Sequence, residues 1–270
     1  MALIAPIRSD QLTRRRIRGR DLVLELVVPV VFIAVWWFAS ASSVSPYFPP
    51  LANIVSSFWR IWISPTFVTD ALPSLAHLAA GFAIATVVGV GVGLALGMSR
   101  FLSDSVWSLL EFVRAIPGVA LVPAAILLLG IGPTTQIVII ASATLWPILL
   151  NTIDGVRSMD PVLVDVARSY GIRWSDRFAR MVLRSASPQI VAGMNTALAI
   201  GLVMILFSEM EGSTNGIGYT LLSAQRSFAV ADMWASIVFL GLLGYLLNVA
   251  FRGFEALVLR WHRGMRDTSR

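Results

Sequence analysis

Long apolar runs separated by short polar or basic stretches dominate this chain, and six of them have the length of a bilayer span. A spanning helix needs about 20 mostly apolar residues, and residues 22–41, 75–97, 112–131, 134–151, 189–208 and 233–254 supply such runs. The pattern predicts an all-α membrane protein of six transmembrane helices, with both ends on one side. On the outer side, Pro49 and Pro50 open a stretch in which Leu51, Ile54, Val55, Phe58 and Trp62 share one helical face. That spacing predicts a short helix lying on the membrane surface.

Charge fixes the expected orientation. Arg8, Arg14, Arg15, Arg16, Arg18 and Arg20 crowd the first segment, six more arginines fall in 152–188, and the tail from Arg252 onward is basic. The alternate segments hold only Arg60 and Arg226, so the positive-inside rule predicts that both termini and the 152–188 segment are cytoplasmic. The first run has a basic start and an Ala39-Ser40-Ala41 triplet like those at signal-peptide cleavage sites. Its apolar stretch exceeds an ordinary signal core, and Trp36, Trp37 and Phe38 suit an interfacial belt, so it is read as a retained helix.

The 152–188 segment has local chemistry of its own. Asp160 can cap free amides, Pro161 suits the first helical position, and Gly171 can take the left-handed conformation that stops a helix. A second helix is expected after Gly171, with Arg173, Arg177, Arg180 and Arg184 on one face and Trp174, Phe178, Met181 and Val182 largely opposite. Together the two helices form an amphipathic elbow between spans four and five. Two readings of this elbow stand open: a basic connector meeting lipid phosphates, or a docking element for another protein.

Asp165-Val166-Ala167, Gly171 and Pro188 resemble, in type and spacing, the cytoplasmic signature of binding-protein-dependent ABC importer permeases. Asp165 stands where that family usually has Glu, and Arg184 follows Leu183 where Leu-Pro is frequent. Further stretches extend the resemblance: Arg114-Ala115-Ile116-Pro117 running to Gly130-Ile131-Gly132, Trp146-Pro147-Ile148-Leu149-Leu150-Asn151-Thr152, and Glu209-Met210 before Gly216-Ile217-Gly218. Together they are similar to the nitrate, sulfonate and taurine branch. The resemblance runs from about residue 49 to the last span.

The resemblance implies a single transmembrane permease domain. Its parts are a basic cytoplasmic segment (1–21), a first span (22–41), a core (75–254) enclosing an ATPase-docking loop (152–188), and a basic cytoplasmic tail (255–270). It also implies two ATP-binding-cassette ATPase subunits that bind ATP and Mg, a second permease subunit, identical or not, and an extracytoplasmic binding protein, all at a bacterial cytoplasmic (inner) membrane. The docking residues it implies are Asp165, Val166, Ala167, Arg168 and Gly171. Asp165 and Arg168 lie one helical turn apart, Ala167 permits close approach, and Gly171 makes the bend.

Composition agrees and excludes rivals. At 57% hydrophobic and 13% charged, with mean hydropathy +0.78, the chain is too apolar for a soluble domain of this length. All 21 basic residues are arginine. Without lysine there is no phosphate-loop ATPase and no Schiff-base chemistry in this chain. With no cysteine and only His77 and His262, thiolate nucleophiles and the usual zinc sets are missing too. Nothing supplies an intramembrane enzyme's constellation. A self-contained secondary transporter or channel is the alternative, but it usually shows inverted repeats, broken helices and intramembrane charges, and no convincing repeat is visible.

Polar groups inside spans are costly unless they face water or a partner. That makes Asn151, Asn195, Ser208, Glu209 and Asn248 candidates for a translocation path, each with the alternative of a structural role. Glu209, at the expected outer end of span five, has two further alternatives: receiving a binding protein, or sitting solvated. Glu111 and Arg114 invite pairing or snorkelling, and His77 reads as an interfacial residue. The stripes Gly81, Ala85, Gly89, Gly93, Gly97 and Gly193, Ala197, Gly201 allow close helix approach. They are read either as static packing within one subunit or as a sliding surface.

Overall fold

The computed structural model describes residues 19–261, with side chains from Val27 onward. The arginines at 8–18 and the tail at 262–270, which carry part of the orientation pattern, lie outside the described residues. All regular elements among the described residues are helical.

The described residues up to 53 and those from 54 onward form two compact units. In the first, α1 (Gly19–Ser40) bears Val28, Phe32, Val35 and Phe38 exposed. Twenty-two residues at 1.5 Å each give about 33 Å, enough to cross a hydrocarbon core. The chain then turns, and Ser40 Oγ accepts a hydrogen bond from Leu51 N at 3.0 Å where α2 (Leu51–Trp62) begins.

The second unit is built on four long helices. A π-helical turn (Phe67–Ala71) leads into α3 (Leu72–Met98); α4 (Arg100–Arg114) follows after Ser99, whose side chain accepts from Leu102 N. A 3-10 turn (Gly118–Leu121) precedes α5 (Val122–Leu129) and α6 (Pro133–Arg157). The elbow helix α7 (Pro161–Ser169) comes next, then α8 (Trp174–Arg177), a second π-turn (Phe178–Val182) and α9 (Leu183–Gly212). The short α10 (Ile217–Arg226) and the long α11 (Val230–Val258) complete the unit.

Helix α6 lies between α3 and α9, and small residues set the spacing on both sides. A Cβ added at Gly81 would stand 2.8 Å from Ile140 Cβ, and one at Gly97 2.7 Å from Val156 Cβ. Across the other interface, a Cβ at Gly193 would meet Pro147 O at 2.7 Å and Asn151 Cβ at 2.8 Å. Both stripes therefore pack within one subunit, where close approach gains dispersion contacts that lipid cannot supply.

The third of the six expected spans is not one continuous helix. Among the described residues, four helical stretches are long and apolar enough to cross (Phe67–Met98, Pro133–Arg157, Trp174–Gly212 and Val230–Val258), a fifth forms where Arg100–Arg114 and Gly118–Leu129 count as one broken span, and α1 has the length of a further one. The expected continuous run at 112–131 is bent by 78° between those halves. Pro117 explains the break, since it has no N–H to give and disfavours helical backbone at Ile116.

Two other expectations change. The arginine-rich stretch after Gly171 is not a separate elbow helix; it starts a continuous 39-residue helical stretch, Trp174–Gly212. Pro188 does not interrupt it, because Ser187 Oγ donates at 2.9 Å to Arg184 O, the carbonyl that Pro188 cannot serve. The α2 face expected to lie on lipid is instead partly internal: Ile54 and Trp62 are buried, and Trp62 stacks on Phe239 of α11 with ring centroids 4.0 Å apart.

Candidate functional site

The elbow α7 is held at both ends by its own sequence. Asp160 Oδ1 accepts from Val162 N at 2.9 Å, and Pro161 occupies the first turn. At the far end Gly171 takes φ +61°. Ile172 N donates to Ala167 O and Gly171 N to Arg168 O, both at 3.0 Å, which is the paired bonding of a Schellman stop.

Its faces differ sharply. Ala167 is 1% exposed and seats the helix on the protein. Val162, Val166 and Tyr170 are exposed, followed by Ile172 and Trp174. Asp165 and Arg168 form an ion pair at 3.5 Å with side chains 74% and 67% exposed. In water such a pair contributes little, so both charges stay available to an incoming surface. An apolar patch with an arginine and aromatics is the composition of a protein-docking surface.

The expected stripe of four arginines does not form. Arg173 is the non-helical cap of α8, and the π-turn alters the angular spacing of the rest. Arg180 pairs with Asp176 at 3.3 Å, and the Arg184 guanidinium lies 5.4 Å over the Trp261 ring.

At the opposite end of α9, Glu209 is 1% exposed and sits in a knot of hydrogen bonds. Its Oε1 meets Ser74 Oγ at 2.5 Å, and its Oε2 accepts from Gly218 N at 2.8 Å. Ser74 Oγ also accepts from Ile217 N at 3.2 Å and contacts Asp70 O at 2.8 Å. Nearby, Thr220 Oγ1 donates to Asp70 Oδ2 at 3.0 Å, and Asn215 Nδ2 to Thr69 O at 3.2 Å. Gly216 takes φ +115°, and a Cβ there would lie 2.6 Å from Glu209 Oε2. The start of α3, the end of α9 and the start of α10 are thereby clamped together.

Glu209 is therefore neither solvated nor presented to an outside protein. Ser208 is buried too, its Oγ donating to Ile205 O at 3.0 Å, so both face the interior of the subunit. Asn151 is half-buried and donates to Pro147 O at 2.8 Å on its own helix. Asn195 and Asn248 are brought together across α9 and α11, with Nδ2 of Asn248 3.4 Å from Oδ1 of Asn195. Glu111 accepts from Trp107 Nε1 at 2.9 Å; its partner is not Arg114. Sequence reading missed Ser74 and Trp261. A serine one turn after Asp70 carries no motif, and Trp261 lies beyond the last periodic residue.

These features define a multi-pass, all-helical membrane subunit with a capped and exposed elbow helix between two of its spans. The chain belongs to the binding-protein-dependent transport system inner membrane component family, which matches residues 85–263. It is similar to a protein of Escherichia coli (strain K12) named as an aliphatic sulfonates transport permease, SsuC, at 31% identity over 87% of this chain and 90% of that one. The taurine transport system permease TauC of the same strain is 25% identical over 94% of this chain and 97% of its own. The bicarbonate transport system permease CmpB of Synechococcus elongatus is 28% identical, covering 94% of each. Among solved structures, an inward-facing form of the methionine ABC transporter MetNI shares the fold, with TM-score 0.59 and 20% identity over 70% of this chain and 94% of that one. The chain is thus an inner-membrane permease subunit of an ABC importer. It is not itself an enzyme, and a separate ATPase subunit drives it.

Proposed function

We propose that this subunit forms half of the path for a small oxyanion, of the nitrate, sulfonate or taurine class, handed over by an extracytoplasmic binding protein. Two ATPase subunits, holding ATP and Mg, dock on α7 through Asp165, Val166, Arg168 and the Gly171 bend, with Ala167 seating the helix. A second permease completes the path, and Asn151, Asn195 and Asn248 are the intramembrane polar groups nearest to such a role. Both termini and α7 lie on the cytoplasmic side.

The observation that carries the docking reading is the elbow itself. A helix of nine residues is too short to hold its shape unaided; here both ends are capped and one face is anchored, while an apolar and charged face stays open. Closure of the ATPases on ATP would draw two such elbows together and swing the attached spans; hydrolysis would release them. The relatives' printed substrates favour an oxyanion, and one further feature agrees. Of the two arginines expected on the outer side, Arg60 is neutralised by Asp232 at 2.5 Å. Arg226 has no carboxylate partner among the described residues, and shares a cavity of about 310 Å³ with Tyr219 and Ser223.

The test is reconstitution of the co-purified transporter in vesicles, with wild type compared against Gly171→Val and Asp165→Arg. Both variants are expected to insert normally and to hydrolyse ATP without matched uptake of a sulfonate. Normal coupling in both would remove the docking assignment. Uptake of a cation or a neutral sugar, untouched by excess sulfonate, would remove the oxyanion reading.

A further inference from the structure

A cavity of about 410 Å³ opens where the elbow meets Trp261, just beyond α11, and none of the proposed docking or path residues lines it. Four elements build it. Met159, Leu163, Met181 and Pro188 supply apolar walls, Arg180 and Arg184 project guanidinium groups into it, and Trp261 closes one side. Among the described residues no carboxylate lines it. We propose that this cavity binds the phosphate of an anionic membrane phospholipid, with the first part of an acyl chain along its apolar wall.

The two arginines are positioned for such a headgroup. The Arg184 guanidinium carbon lies 5.4 Å over the Trp261 ring, a contact that consumes none of its N–H donors and leaves them for an oxyanion. Arg180 spends Nε on Asp176 and keeps its two terminal nitrogens. Standing four residues apart on a helical surface, two cations repel each other; an anion bridging them turns that repulsion into attraction.

The walls decide between possible anions. A free inorganic phosphate would satisfy the guanidiniums but leave two methionines, a leucine and a proline against water. A lipid phosphodiester fills both parts. Arginine over tryptophan at the end of a spanning helix is also the composition of the lipid–water boundary. The segment after Trp261 carries three arginines against one aspartate, so its net charge has the cavity's own sign. A lipid held here touches Leu163 on α7 and Pro188 on α9 at once, and so fixes the spacing between the elbow and the spanning helix.

The binding claim stands apart from the ATPase-docking reading, because its readout is lipid retention. The intact transporter, purified in mild detergent, would be titrated with phosphatidylglycerol or phosphatidylcholine and weighed by native mass spectrometry. Retention of phosphatidylglycerol is expected at least tenfold above phosphatidylcholine in wild type, and reduced to the phosphatidylcholine level in an Arg180→Gln, Arg184→Gln double variant. Wild type would also be cross-linked with a diazirine-bearing phosphatidylglycerol, which needs no variant. Adducts on peptides covering 159–163 or 181–188 are expected. Equal retention of the two lipids, adducts confined to other regions, or displacement of the lipid by millimolar inorganic phosphate would each overturn the proposal.

Discussion

Replacing Gly93 by alanine puts a methyl group into the tightest part of the α3–α6 interface, and the structure fixes how badly it fits. The new carbon would lie 2.6 Å from Thr152 Cβ, 2.9 Å from its Cγ2 and 3.0 Å from Leu149 O. Carbon pairs rest at about 3.5–4.0 Å, so relief requires a shift of about 1 Å. Thr152 cannot simply rotate away, because its Oγ1 donates to Ile148 O at 2.7 Å. The helices must therefore separate, and a gap of this size forfeits about a quarter to a half of each contact's dispersion well along the stripe. Overpacking of this kind costs about 1–3 kcal/mol. Gly91, two residues away on the same helix, is the control: a Cβ there meets nothing within 4 Å, and alanine in an open helix position is favoured by up to about 1 kcal/mol. The assay is survival of the monodisperse peak in size-exclusion chromatography after heating in detergent. Gly93→Ala is expected to lose the peak at a clearly lower temperature than wild type, and Gly91→Ala at the same or a higher one. Equal heat resistance in the two variants would refute the claim that the stripe is a close-packed internal seam.

The remaining predictions concern hydrogen-bond accounting. Glu209→Ala strips Gly218 N of its carboxylate partner, worth about 1–3 kcal/mol when left unmet in the interior, and takes one contact from Ser74 Oγ, which keeps Asp70 O and Ile217 N. Glu209→Gln should be far milder, because its oxygen can face Gly218 N while its amide donates to Ser74 Oγ; matching thermal midpoints for the two variants would sink the knot as a clamp. Ser187→Ala should cost about 1 kcal/mol by orphaning Arg184 O. That cost should vanish when Pro188→Ala supplies a backbone N–H, so a double-mutant cycle without coupling would count against the Ser187 account.

The caps of α7 were legible because helix ends obey local rules. Asp160, Pro161 and Gly171 act within four residues of themselves, and each does what its side chain or its lack of one dictates. The third span was not legible in the same way: the apolar run at 112–131 is continuous in hydrophobicity, and only Pro117 hints that the backbone turns inside it. The arginine stripe failed because a period of 3.6 assumes an unbroken α-helix, whereas a π-turn at Phe178–Val182 alters the count. Glu209 was recognised as unusual, but its burial was invisible. Its partner Ser74 stands 135 residues away in sequence, and nothing in the spacing says that the two meet.

The stretch from Trp174 to Gly212 has a mechanical meaning beyond its role as a span. Thirty-nine residues at 1.5 Å each give a rod of about 58 Å, longer than the roughly 40–45 Å of a whole bilayer with its headgroups. One end adjoins the elbow and the other ends in the Glu209 clamp. Such a rod transmits leverage: pivoted near one end, a tilt of about 10° carries the far tip through about 10 Å. The π-turn is its one departure from regular helix, placed a single turn from the driven end. With the ATPases docked as proposed, work entering at the elbow would reach the opposite face of the membrane as geometry, without being handed from one side chain to the next.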